Sequence, residues 1–128
     1  MSTTIVVRES DLKPFLSEPP QQRAFRVLLS PLMLIGAPVS AAVGTADVWP
    51  FQTTPCHTHD TETEIWFCLE GRGYVKVGDA QYEATPGTLV TAPPGVPHQL
   101  VNPSDVHFKC LVIFTPAGPE KMFVEKVK

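Results

Sequence analysis

Two histidines two residues apart, His57 and His59, are the first residues of this chain whose types and spacing could do chemistry. They lie in residues 55–71, PCHTHDTETEIWFCLEG. Successive side chains of an extended segment point to opposite sides, so both imidazoles project from one face and make half of a metal site. Glu64 opens the apolar run 65–69 and can return its carboxylate to the same region after one tight loop, while Glu62 has the same parity and competes with it. Downstream, in residues 87–102 (GTLVTAPPGVPHQLVN), the turn residues Pro93, Pro94 and Gly95 place His98 at the start of another strand.

These two stretches resemble the two motifs of the cupin superfamily. The first family pattern, a histidine pair, a glutamate after four residues and a glycine after six more, is matched by His57, His59, Glu64 and Gly71; the second is matched by Gly87, Pro93, Gly95, His98 and Asn102. One position departs, since Phe51 stands where the family usually has a glycine, which bears on a turn and not on a ligand. The resemblance implies an all-β fold, a double-stranded antiparallel β-helix or jelly-roll barrel, with His57, His59, Glu64 and His98 as ligands of a divalent transition metal.

Three neutral imidazoles and one carboxylate would leave a divalent ion with a net charge of about +1, still an effective Lewis acid. Four protein ligands nearly close a tetrahedral ion but leave two adjacent positions on an octahedral one, which favours Fe(II) or Mn(II) for chemistry, with Ni(II), Zn(II) or Cu(II) able to bind. The function implied by the resemblance is a metal-dependent enzyme acting on a small organic molecule in the barrel, a dioxygenase-type oxidoreductase first. Lyases, isomerases and polyketide cyclases of the family share the ligand set, and a non-catalytic ligand-binding or sensor module is the other class. Glu64 is the catalytic candidate, as ligand and as base. Trp66 and Cys68 share its face, which puts Trp66 near the metal as a substrate contact, and Arg26 is the candidate to hold a substrate carboxylate. Cys56 alternates away from the histidines, and Cys68, Cys110 and Trp49 read as core.

Composition bounds the rest. The 128 residues suit one domain. A net charge of −3 argues against nucleic acid or an acidic membrane surface as partner. Three cysteines without framework spacing suit free thiols in a reducing compartment, so a cytoplasmic location is expected. Arg23 and Arg26 followed by the apolar run 27–39 mimic a secretory signal, but the run starts deep in the chain and is broken by Pro31 and Pro38.

Fourteen prolines favour short strands joined by turns over helices. Strands are expected at 5–8, 25–29, 32–35, 38–49, 64–69, 73–77, 80–84, 88–92, 98–102 and 106–114. In the last of these, Lys109 facing water sends Phe108, Cys110, Val112 and Phe114 inward and His107 outward, so His107 is not expected to be a ligand. Ile65, Phe67 and Leu69 then form an outward apolar row that a second subunit would cover, giving a homodimer. The tail 118–128, with Pro119 and Glu120 early and Lys126 and Lys128 late, suits a short helix with Met122, Phe123 and Val127 buried.

Overall fold

Alternation along the strands, read with the turns between them, produces two antiparallel sheets in the computed structural model, which describes residues 6–33 and 39–127. The strands are β1 (Phe15–Leu16), β2 (Arg23–Leu29), β3 (Ala42–Val48), β4 (Thr63–Glu70), β5 (Gly73–Val77), β6 (Ala80–Ala84), β7 (Leu89–Ala92), β8 (His98–Val101) and β9 (Phe108–Thr115), followed by a short helix α1 (Lys121–Lys126). One sheet has six strands in the order β1-β2-β3-β9-β4-β7 and the other three in the order β6-β5-β8. Every named pairing is antiparallel, and the two sheets close into a jelly roll.

The core lies between the sheets and follows the period of two. In β9, Phe108, Cys110, Val112 and Phe114 are all buried, while Lys109, Leu111 and Ile113 on the opposite face are only half-buried. Trp66 and Cys68 in β4, Val75 in β5 and Leu100 in β8 fill the same interior. At one end Phe25 stacks on Phe123 of α1, with ring centroids 4.0 Å apart, so the helix caps the barrel through a single aromatic anchor. Its buried stripe is shifted from the expected one: Phe123 is buried and Val124 and Val127 half-buried, whereas Met122 is exposed. Residues 123, 124 and 127 lie on one face of a helix at spacings of one and four, and Met122 lies off it.

Turns at Gly71 and Phe51 hold a residue in the left-handed backbone region. Gly71 ends β4 at φ 76°, and a Cβ there would come within 2.0 Å of the His107 carbonyl oxygen, so only glycine fits that turn. Phe51 also adopts a left-handed conformation, φ 60°, with its ring exposed to solvent. Asn102, 1% exposed, donates through Nδ2 to the carbonyls of Val48, Trp49 and Val106 and accepts from Ser104 through Oδ1, tying the loop after β8 to the end of β3.

On the outside of the large sheet, Glu9 accepts from Thr45 and from the ammonium of Lys109, which fastens the N-terminal segment across β3 and β9. Burial pushes the Glu9 carboxyl up, but the Lys109 and Thr45 hydrogen bonds and the charges of Lys109 and Arg26 outweigh it and hold it below its ordinary value. The rest of that face, over β4 and β7, is open: Phe67, Leu69 and Leu89 are exposed. The expected strand 5–8 falls partly outside the described residues, and Val6, Val7 and Arg8 are not in a strand; of the expected strand 32–35, Leu32 and Met33 form a turn and a bend, and the remainder lies outside the described residues.

Candidate metal centre

His57 and His98 are locked opposite each other before any side chain is considered. The His57 amide donates to the His98 carbonyl (3.1 Å) and the His98 amide to the His57 carbonyl (2.9 Å), a reciprocal pair that adds the loop after β3 to the edge of β8. The Thr54 amide donates to Leu100 and the Gly95 amide to the carbonyl of His59, so the turn at 93–96 also fixes the second histidine of the pair. Glu64 is the second residue of β4 and points inward with Trp66 and Cys68. The ligand candidates therefore come from a pinned loop and two strands belonging to different sheets.

The side chains converge. His57, His59, Glu64 and His98 each offer a donor atom, and these atoms all lie within 4.8 Å of one another. Glu64 Oε1 is 2.9 Å from His59 Nε2, 3.0 Å from His98 Nε2 and 4.0 Å from His57 Nε2. Glu62 is not in the group: its Oε2 accepts from the Thr61 hydroxyl. The competition left open by parity is thus resolved toward Glu64, because β4 begins at Thr63 and turns Glu64 into the interior.

The hydrogen bonds behind the rings set their tautomers. His57 Nδ1 lies 2.9 Å from the Pro55 carbonyl and His98 Nδ1 3.1 Å from the Val96 carbonyl. A carbonyl can only accept, so both Nδ1 atoms carry the proton and both Nε2 lone pairs are free to bind a cation. His98 Nε2 is close to Glu64 but does not meet hydrogen-bond geometry with it, and it is the one buried side-chain nitrogen or oxygen among the described residues without a hydrogen-bond partner. An orphaned, buried imidazole lone pair beside two further imidazoles and a carboxylate is what a divalent metal satisfies.

Electrostatics agree with the geometry. Burial pushes the Glu64 carboxyl up, but the imidazoles of His59, His98 and His57 around it outweigh burial and hold it below its ordinary value. Burial lowers the His57 pKa, Glu64 opposes the shift, and the two neighbouring imidazoles add to it, so the ring stays neutral and available as a ligand.

The centre opens on a cavity of about 370 Å³. Phe25, Trp66, Val112 and Phe114 supply its apolar wall, with Thr54, Thr58 and Gln99 as polar points. Trp66 lies where expected, its ring 5.2 Å from that of His98 in an edge-to-face arrangement. Arg26 does not. Its Nε donates to the Leu12 carbonyl and its side chain is not in the cavity wall, which holds Arg23 instead. Strand parity is the reason: Arg23 and Phe25 share the inward face of β2, and Arg26 falls on the other. A strand expected to start at residue 25 leaves Arg23 outside it, whereas β2 starts at Arg23. Cys56 is exposed and Cys68 and Cys110 are buried, all free; His107 sits on the surface against Asp47.

Comparison with known proteins shows what the chain is similar to. Uncharacterized protein MJ1618 of Methanocaldococcus jannaschii is 31% identical over 113 residues, covering 88% of this chain and 87% of that one. Acireductone dioxygenase of Saccharomyces cerevisiae is 38% identical over 68 residues, 45% of this chain but only 36% of the relative. Among solved structures, the polyketide cyclase RemF from Streptomyces resistomycificus superposes with a TM-score of 0.72 at 26% identity, over 87% of this chain and 78% of that one. A family model described as a cupin domain matches residues 44–114, which contain all four converging side chains, and the chain belongs to the cupin family.

Proposed function

We propose that this chain is a metal-dependent enzyme acting on a small organic molecule held in the barrel, with dioxygenase-type oxidation as its leading reaction. The observation that carries the proposal is the convergence of three imidazoles and one buried carboxylate at the wall of a largely apolar cavity. Four protein ligands nearly close a tetrahedral ion but leave two adjacent positions on an octahedral one, which favours Fe(II) or Mn(II) over zinc for chemistry. When bound, such an ion supplies Lewis-acid polarisation and one-electron chemistry at the two positions the protein leaves open. His57 and His98 present fixed Nε2 lone pairs, and His59 completes the nitrogen set. Glu64 balances part of the charge and can take a proton from a substrate carbon or hydroxyl. Trp66 and Phe114 keep water from the reacting face.

An oxygen electrode tests the reaction class. Protein loaded with Fe(II) or Mn(II) is expected to consume oxygen with at least one member of a panel of small enols and organic acids. The likeness to RemF favours a second reading, Lewis-acid turnover without oxygen, and substrate loss with no oxygen uptake would select it. Tight binding without turnover in any metal form would contradict both and leave a binding module.

The same reading includes a homodimer. Phe67 pairs across the sheet with Leu89 and Leu111, and Ile65 with Ile113, giving a contiguous apolar surface outside β4, β7 and β9. Phe67 is 37% and Leu89 59% exposed. Patches of this kind are rarely left to water, and a twofold contact lets one surface cover itself. Light scattering is expected to give a dimer at micromolar concentration for the wild type and a monomer for Phe67→Lys; a wild-type monomer would remove this part of the proposal. No helix among the described residues is long and apolar enough to cross a membrane. Three free thiols suit a cytoplasmic setting.

A further inference from the structure

Arg23, the first residue of β2, is 5% exposed and, with the candidate ligand Glu64, is one of two formally charged side chains apart from the histidines in the cavity wall among the described residues. A guanidinium carries five N–H donors, and one nitrogen of Arg23 has an acceptor: Nη1 donates to the Ser17 hydroxyl at 3.3 Å. No carboxylate lies within ion-pair distance among the described residues. The other two nitrogens have no hydrogen-bond acceptor among the described residues, and Arg23 lines the cavity. The group is held in place by rings: its central carbon is 5.6 Å from the centroid of Phe15 and 5.5 Å from that of Phe123.

A fixed, largely desolvated cation with no carboxylate in ion-pair contact is a poor structural element, since an apolar side chain of similar volume commonly serves stability as well or better. It is a good recognition element, because its free fork matches a carboxylate in two parallel hydrogen bonds. The remaining wall is mostly apolar and offers few further donors, which suits one carboxylate better than a phosphate group with its greater charge.

We propose that Arg23 is the anion-recognition residue of this cavity, and that the cavity takes a small monocarboxylate with an apolar or aromatic body. The carboxylate rests on the guanidinium, and the body lies along Phe25, Phe114 and Trp66 toward the metal centre. The inference rests on the reading of the cavity as a substrate site and names the class of molecule it takes.

The test is a calorimetric titration with benzoate, benzamide and inorganic phosphate on metal-stripped protein and on protein loaded with redox-inert zinc. Benzoate is expected to bind stripped wild type roughly 10- to 100-fold more tightly than benzamide, the worth of charge-assisted hydrogen bonds. Arg23→Met should abolish that preference in both forms while leaving zinc content and melting temperature close to wild type, and Arg23→Lys should restore part of it. Equal affinity for benzoate and benzamide in stripped wild type would overturn the proposal, and that comparison needs no variant to fold. Displacement of benzoate by equimolar phosphate would overturn the carboxylate assignment. A collapse of the melting temperature in Arg23→Met, with unchanged benzoate preference in Arg23→Lys and Arg23→Met, would make the residue structural. A preference seen only with zinc bound would leave the metal centre standing and remove Arg23 from recognition. Absence of zinc binding with the preference intact would do the reverse.

Discussion

Glu64→Gln protein is expected to keep most of its metal at neutral pH and to lose about 10²-fold or more of its turnover per bound ion. The substitution preserves shape and removes both charge and basicity. Three imidazoles remain to hold the ion, two of them oriented through backbone carbonyls that the change does not touch. Among the described residues Glu64 is the only carboxylate in the cavity wall, so no other acidic side chain among them can take over proton transfer there. Metal content, melting temperature and turnover measured on the same preparation separate the possibilities. Near-normal turnover per bound metal would make Glu64 a plain ligand and send the base elsewhere.

The second large effect is on stability. The four ligands come from the loop after β3, from β4 and from β8, in different sheets, so the site exists only in the folded chain and a bound ion is linked to folding. An ion at 100 times its dissociation constant adds about 2.7 kcal/mol, which for a domain of this size is on the order of 10 °C in melting temperature. Chelation should lower the wild-type midpoint by that order and leave a His57→Ala, His98→Ala double variant nearly unchanged relative to its own starting value. An equal drop in both would show that the chelator acts on something other than this centre.

Much of the centre was legible because its determinants are local. The spacing of His57, His59 and Glu64 and the turn before His98 fix which side chains face the interior, and the inward set of β9 follows from Lys109 alone. Arg23 was missed for a related reason: parity assigns faces only once a strand's start is known, and β2 begins two residues earlier than its apolar run suggests. Its first residue is a buried cation, which hydrophobic patterning excludes by construction. The pairing of β3 with β9, Gly44 opposite Val112 and Ala46 opposite Cys110, joins segments far apart in sequence and leaves no local signal. Phe51 shows the other side of the matter: a side chain occupies a left-handed turn where the family uses glycine, and its ring is exposed to water. The helix stripe moved by one residue because Phe123 is anchored by Phe25, a contact that the period of the tail does not encode.

The measurement closest to the central claim is the metal stoichiometry of protein purified without added metal, read by plasma mass spectrometry beside His98→Ala protein prepared identically. His98 is the decisive position, since its Nε2 is buried, unpartnered and aimed at Glu64. The account predicts close to one equivalent of a first-row divalent ion in the wild type and a loss of most of it in His98→Ala. Equal metal content in the two proteins, or a wild type that takes up no divalent ion on titration, would contradict it.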